Sequence, residues 1–156
     1  MKNWFLLALL VILGSTLVSA QKIEREWVDL ALPSGTLWAS DPEDEFYSYT
    51  EAIDKFGVNM PTKWQWEELI NSCVATELDN HRMEMRGKNG ATIIIPLRGW
   101  VMKNGKTQQT DIGYYWTYTN FDKRNAWHVI VSHFFGKDDL QWTYMSYKMS
   151  ILLVNK

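Results

Sequence analysis

Met60-Pro61-Thr62-Lys63-Trp64-Gln65-Trp66-Glu67-Glu68-Leu69-Ile70-Asn71-Ser72-Cys73 carries a complete helix start. Thr62 can cap the first turn, and Gln65 three residues on completes a Thr-x-x-Gln capping box. Trp66, Leu69, Ile70 and Cys73 then fall at i, i+3, i+4 and i+7, a single apolar stripe. Glu67, Glu68, Asn71 and Ser72 take the wet side. A shorter helix is predicted upstream, capped by Ser48 with Glu51 at the box position. It turns Ala52, Ile53 and Phe56 inward and stops at Gly57.

Outside these helices the chain reads as short strands between turn residues. Strands are predicted at 27–30, 36–39, 83–86, 91–95, 100–102, 113–119, 126–134, 140–147 and 149–154. Helices fall in the first half and strands crowd the second. That order predicts an α+β fold with antiparallel sheet rather than a βαβ alternation.

The 156 residues fit one domain. Sixteen basic against 18 acidic side chains leave no cationic excess for nucleic acid. A 46% hydrophobic content excludes disorder, and one cysteine excludes an internal disulfide or a thiolate metal cluster. The unusual figure is 9 Trp beside 7 Tyr and 6 Phe, enough for an aromatic core with some left for the surface.

Residues 1–20 read as an address. A charged start, an apolar run from Trp4 to Leu13 and the small-residue ending Val18-Ser19-Ala20 form a signal-peptide pattern, with cleavage before Gln21. The apolar run is short for a membrane anchor and has no basic stop-transfer flank. The expectation is a domain over residues 21–156 working in the periplasm or outside the cell, with no membrane span after cleavage.

Five pieces in order resemble one family. Trp27 to Ala39 resembles "VDLGLPSGTLWA", and Met60-Pro61-Thr62 with Trp66 to Ile70 and Cys73 resembles "MPT..EW.ELI..C". Gly87-Lys88-Asn89-Gly90 with Ile93 to Pro96 resembles "G.NG.SIFLP", Gly99 fits an "AG" position, and Gly113 to Thr117 resembles "G.YWSST". The pattern is similar to the Fibrobacter succinogenes major paralogous domain family, extracytoplasmic proteins common in Bacteroidetes. The resemblance implies a fold akin to C-type lectins and the formylglycine-generating enzyme: a twisted antiparallel sheet, two flanking helices and long loops. It implies no known reaction. The family's stretch before the helix is shortened here to 41–49. Its closing "SVRPV" stands here as Ser150-Ile151-Leu152-Leu153-Val154, so a loop anchor made by that Arg must be absent or replaced.

Candidate chemistry is sparse. Cys73 lies on the apolar stripe, which favours a core thiol over a nucleophile. The paired cysteines of the formylglycine-generating enzyme have no counterpart. His128 and His133 are five apart, an offset that sends them to opposite strand faces and disfavours a shared metal. Asp41, Glu43, Asp44 and Glu45 could offer oxygen to calcium but read as a solvated loop. No catalytic residue, metal site or cofactor is expected.

The aromatics divide. Trp27, Trp38, Trp66 and Trp116 coincide with framework positions and are expected in the core, as are the Trp residues of the first half generally. Trp64, Trp100, Trp127, Trp142, Tyr118, Phe121 and Tyr144 occupy less regular stretches. Alternation from Leu140 places Trp142 and Tyr144 on one strand face, either sheet core or a binding platform. The second half also holds the polar turns, so Phe121, Asp122, Arg124, Trp127 and Trp142 are the candidate ligand-binding residues. Trp127 and Trp142 could equally close the bottom of the core. The expected function is a non-catalytic module binding a glycan or an envelope protein. An inhibitor or immunity-type partner and a carboxylate-dependent hydrolase are the alternatives.

Overall fold

The computed structural model describes residues 25–133 and 139–155. The expected signal segment and Phe134 lie outside them. The elements are β1 (Trp27–Asp29), β2 (Leu37–Ala39), α1 (Tyr49–Phe56), a 3₁₀ turn (Gly57–Asn59), α2 (Lys63–Ser72), β3 (Val74–Asp79) and β4 (Arg82–Arg86). There follow β5 (Thr92–Pro96), β6 (Trp100–Val101), β7 (Thr107–Gln108), β8 (Gly113–Asn120), β9 (Asn125–Val131), β10 (Leu140–Tyr144) and β11 (Val154–Asn155). Every ladder between them is antiparallel, so the class is α+β.

Both helices start as their sequences dictate. Ser48 and Thr62 accept from the amides of Glu51 and Gln65, whose side chains return bonds to the cap amides. Trp66 and Leu69 are fully buried. The stripe is shorter than expected: α2 ends at Ser72, and Cys73 is its extended C-cap, with Ile70 and Cys73 half-buried. Glu68 is not simply solvated either. Its two carboxylate oxygens accept the amide and hydroxyl of Ser34, clamping the β1–β2 turn onto α2.

In place of one continuous sheet, the described strands form four small ones, ordered β1-β2-β11, β3-β4-β5, β6-β7 and β8-β9-β10. The cause is visible in the closing segment. Residues 149–153, expected as a strand, make single bridges from Met149 to Tyr47 and from Ser150 to Tyr115. All of them are buried. The segment threads the core between sheets, and only Val154–Asn155 pairs as a strand, against β2.

Apolar burial holds these layers together. Trp38 meets Trp66 edge-on with ring centroids 4.8 Å apart, Trp66 continues to Tyr115, and Tyr49 meets Trp116 at 5.6 Å. Trp38, Trp66 and Trp116 are core as expected, and Trp27 is half-buried. Trp64 is not packed: it is 64% exposed at the second position of α2, off the Trp66–Leu69 stripe. One close approach fixes a glycine. A Cβ at Gly87 would lie 2.2 Å from the Leu30 carbonyl oxygen, so only glycine lets the 87–90 turn dock on the residue that follows β1.

β3 and β7 were not expected. β3 is exposed along its length and offers no burial pattern, so its pairing with β4 rather than its own apolarity makes it a strand. The strand predicted to Tyr147 stops at Tyr144, where the Tyr147 amide turns back to the Tyr144 carbonyl.

Candidate functional site

β8, β9 and β10 present the largest group of exposed rings. The register places Trp142 directly opposite Trp127, so both side chains leave the same face. Between β8 and β9, Asp122 builds the turn. Its Oδ1 accepts the amides of Arg124 and Asn125 at 2.7 and 2.8 Å, and the Asn125 side-chain nitrogen reaches Oδ2 at 2.9 Å. The Arg124 amide, then the Asn125 side chain, hold its carboxyl below the usual Asp range.

That turn delivers Phe121 onto the sheet. Phe121 and Trp142 stack in parallel, centroids 4.6 Å apart and planes within 1°, and Trp127 meets Phe121 edge-on at 5.8 Å. Phe121 is 48% exposed and Trp142 50% exposed. The Lys63 ammonium sits 4.0 Å from the centre of the Trp127 ring. Two bonds hold α2 against β8 to make that possible: the Tyr118 amide to the Pro61 carbonyl, and the Lys63 amide to the Thr119 hydroxyl.

A groove of about 350 Å³ adjoins this cluster, lined by Tyr49, Ile53, Tyr118, Asn120, Asp122 and Met145. The Tyr49 hydroxyl donates to the Tyr118 carbonyl, and burial, then the Tyr118 charge, push its pKa up to about 12. It is a fixed donor rather than a base. The arrangement offers flat apolar faces, a cation and adaptable polar groups.

Of the five sequence-derived residues, the structure therefore brings Phe121, Trp127 and Trp142 into contact. Asp122 stands beside them as the turn's keystone, and its oxygens are engaged. Arg124 lies on the same turn, exposed, its backbone bonded to Asp122 and Met145 and its side chain in no hydrogen bond or ion pair among the described residues. The reading of Trp142 and Tyr144 as sheet core is corrected: Tyr144 is 58% exposed, because β10 is the outermost strand and has no layer over that end. Lys63 had no signal in the sequence, being 64 positions from the ring it covers.

The other candidates have structural partners. Burial, then the Glu68 charge, push the Cys73 thiol up. His128 is buried between Tyr114 and Trp116 with Nδ1 unpartnered, and burial lowers its pKa to about 4. His133 pairs instead with Glu77 of β3 at 2.8 Å. In the acidic segment Glu43 pairs with Arg25, and Asp41 accepts the Ser40 hydroxyl. The described residues contain no group of three His, Cys, Asp or Glu placed to hold a metal. None of their helices is long and apolar enough to cross a membrane.

Comparisons with protein-family models, with curated proteins and with solved structures return no match for this chain.

Proposed function

We propose that this chain is a non-catalytic binding module acting outside the cytoplasm, which takes a glycan or an envelope protein on the aromatic surface of β8, β9 and β10. The observation that carries the reading is the exposed Phe121–Trp142 stack with Trp127 set against its edge. Rings held by one another lose little freedom on binding, and their outer faces suit a sugar ring or an apolar anchor of a protein. Arg124 and Lys123 on the adjoining turn supply hydrogen-bond donors at the rim.

Two further points support it. The side chains best able to do nucleophilic or general-base chemistry are occupied in packing: Cys73 with a raised thiol pKa, His128 buried and neutral. The ordered motifs resembling the major paralogous domain family, with its lectin-like fold, and the signal-like residues 1–20 point to recognition outside the cytoplasm. The fold analogy is associational and ranks below the ring geometry.

A glycan array run beside a pull-down from the native envelope tests the reading. Capture by the wild-type protein and loss with Phe121→Ala support it. Turnover of a captured glycan, or capture indifferent to changes at the three rings, overturns it.

A further inference from the structure

Sheet edges expose unpaired backbone groups, and proteins commonly protect them with charge, bulges, short length or cover. Three of the outer strands here follow that rule. β3 carries Glu77 and Asp79, has a register shift between them, and is tied to His133. β11 is only two residues long. The outer side of β8 is covered, its backbone bonded to Ser150 and Pro61. Among the described residues, β10 has none of these devices. Leu140-Gln141-Trp142-Thr143-Tyr144 contains no charge and no proline, and its register against β9 is unbroken.

The direction of its free groups can be derived. The Met145 amide donates to the Arg124 carbonyl, which continues the β9–β10 register by one pair. Antiparallel pairs alternate between bonded and non-bonded. Thr143 and Gln141 therefore bond to Ala126 and His128, while the backbones of Leu140, Trp142 and Tyr144 face away from β9. Among the described residues, nothing accepts from or donates to the Trp142 backbone on that side.

We propose that β10 is a homodimer interface, pairing antiparallel with β10 of a second copy about a two-fold axis at Trp142. The strand is self-complementary about that residue. The amide and carbonyl of Trp142 exchange bonds with those of its symmetry mate, and Tyr144 comes opposite Leu140 of the other copy. A shared axis makes each bond occur twice. Charge agrees with this arrangement. The Lys123–Arg124 turn lies at the Tyr144 end of β10 and Asp139, already engaged within its own copy, precedes the Leu140 end, so antiparallel pairing avoids setting like charges side by side. Paired residues share a face. The rings then run Trp127, Trp142, Trp142 of the second copy and its Trp127, one continuous aromatic row across a six-stranded sheet. This assembly does not depend on what the rings bind.

Sedimentation velocity on protein expressed from the full chain, over a concentration series, tests it. The wild type should show a monomer–dimer equilibrium. Trp142→Pro removes the indole stacked on Phe121 and an outward-facing amide, a loss an edge strand tolerates, and should weaken dimerisation at least tenfold. Trp142→Lys places two ammonium groups across the axis and should do the same, so misfolding of one variant leaves the other to decide. Hydrogen exchange supplies an independent readout: Trp142 and Tyr144 amides should gain protection with concentration, while Gln141 and Thr143 stay protected throughout. A wild type that is monomeric up to its solubility limit, or a dimer that survives both folded variants, overturns the proposal. Ligand capture by a wild type that stays monomeric, lost with Phe121→Ala, would leave the proposed function standing even then.

Discussion

Arg98 donates to the Ser150 hydroxyl at 3.0 Å and, from the same guanidinium nitrogen, to the Glu43 carbonyl at 2.7 Å. Its other terminal nitrogen reaches the Asp44 carbonyl, and the Phe46 ring lies 5.2 Å from its centre. One cation thus fastens the acidic segment to the buried closing segment. The closing segment itself carries Leu152 and Leu153, both buried. A loop anchor is present, and it is supplied from the stretch after β5.

Arg98→Leu should therefore destabilise the fold by about 1–3 kcal/mol, because Ser150 and the Glu43 carbonyl lose a charged donor. Arg98→Lys should recover part of that loss, since one ammonium cannot reach all three acceptors. Urea unfolding of the three proteins measures it. Equal midpoints would mean the anchor contributes nothing.

His128 predicts an acid-sensitive fold. Burial depresses its pKa to about 4 from 6.5, so below pH 6.5 the unfolded chain binds a proton that the folded chain refuses. Stability from this group is complete above pH 6.5 and is lost as pH falls towards 4. The full span is worth about 3 kcal/mol. Equilibrium unfolding at stepped pH should show that decline in the wild type and a flatter one in His128→Phe. Matching slopes would refute the assignment.

The parts of the fold legible in the sequence were those with local causes. Ser48 with Glu51 and Thr62 with Gln65 announce helix starts because capping needs side chains three residues apart. Gly87-Lys88-Asn89-Gly90 announces a turn for similar reasons. What escaped was set by distant partners. β3 has no inward face to betray it, and residues 149–153 look like a strand yet serve as a buried thread. At the site, ring types and their alternation on β10 were readable, but the stacking of Phe121 on Trp142 depends on the Asp122 turn, and Lys63 arrives from another element.

Cys73 offers a test of its cap position. Half-buried, with its thiol pKa raised by desolvation and then by Glu68, it holds little thiolate at neutral pH. Alkylation by iodoacetamide should run slower than for a free cysteine in the folded protein and reach the free rate in denaturant. Fast modification of the native state would show the thiol to be exposed or activated.

Binding should separate the residues of the β8–β9 turn by what each one does. Phe121 is half-exposed, so Phe121→Ala removes the stack on Trp142 at a cost to stability of about 1 kcal/mol or less. The Arg124 side chain has no hydrogen bond or ion pair to lose among the described residues, and Arg124→Ala keeps the backbone bonds, so it should leave the melting temperature almost unchanged. Each should nevertheless weaken a captured ligand about tenfold, the effect of losing a contact worth about 1.4 kcal/mol. Asp122→Ala differs in kind. It frees the amides of Arg124 and Asn125 that define the turn, so it should lower affinity and loosen the turn together. Trp fluorescence reports the second effect, since Phe121 then leaves Trp142. Titration of the ligand against the three variants, with melting curves alongside, distinguishes contact from support. Normal binding by Phe121→Ala and Arg124→Ala, with loss on changing residues 41–49, would place the recognition surface on the acidic segment instead.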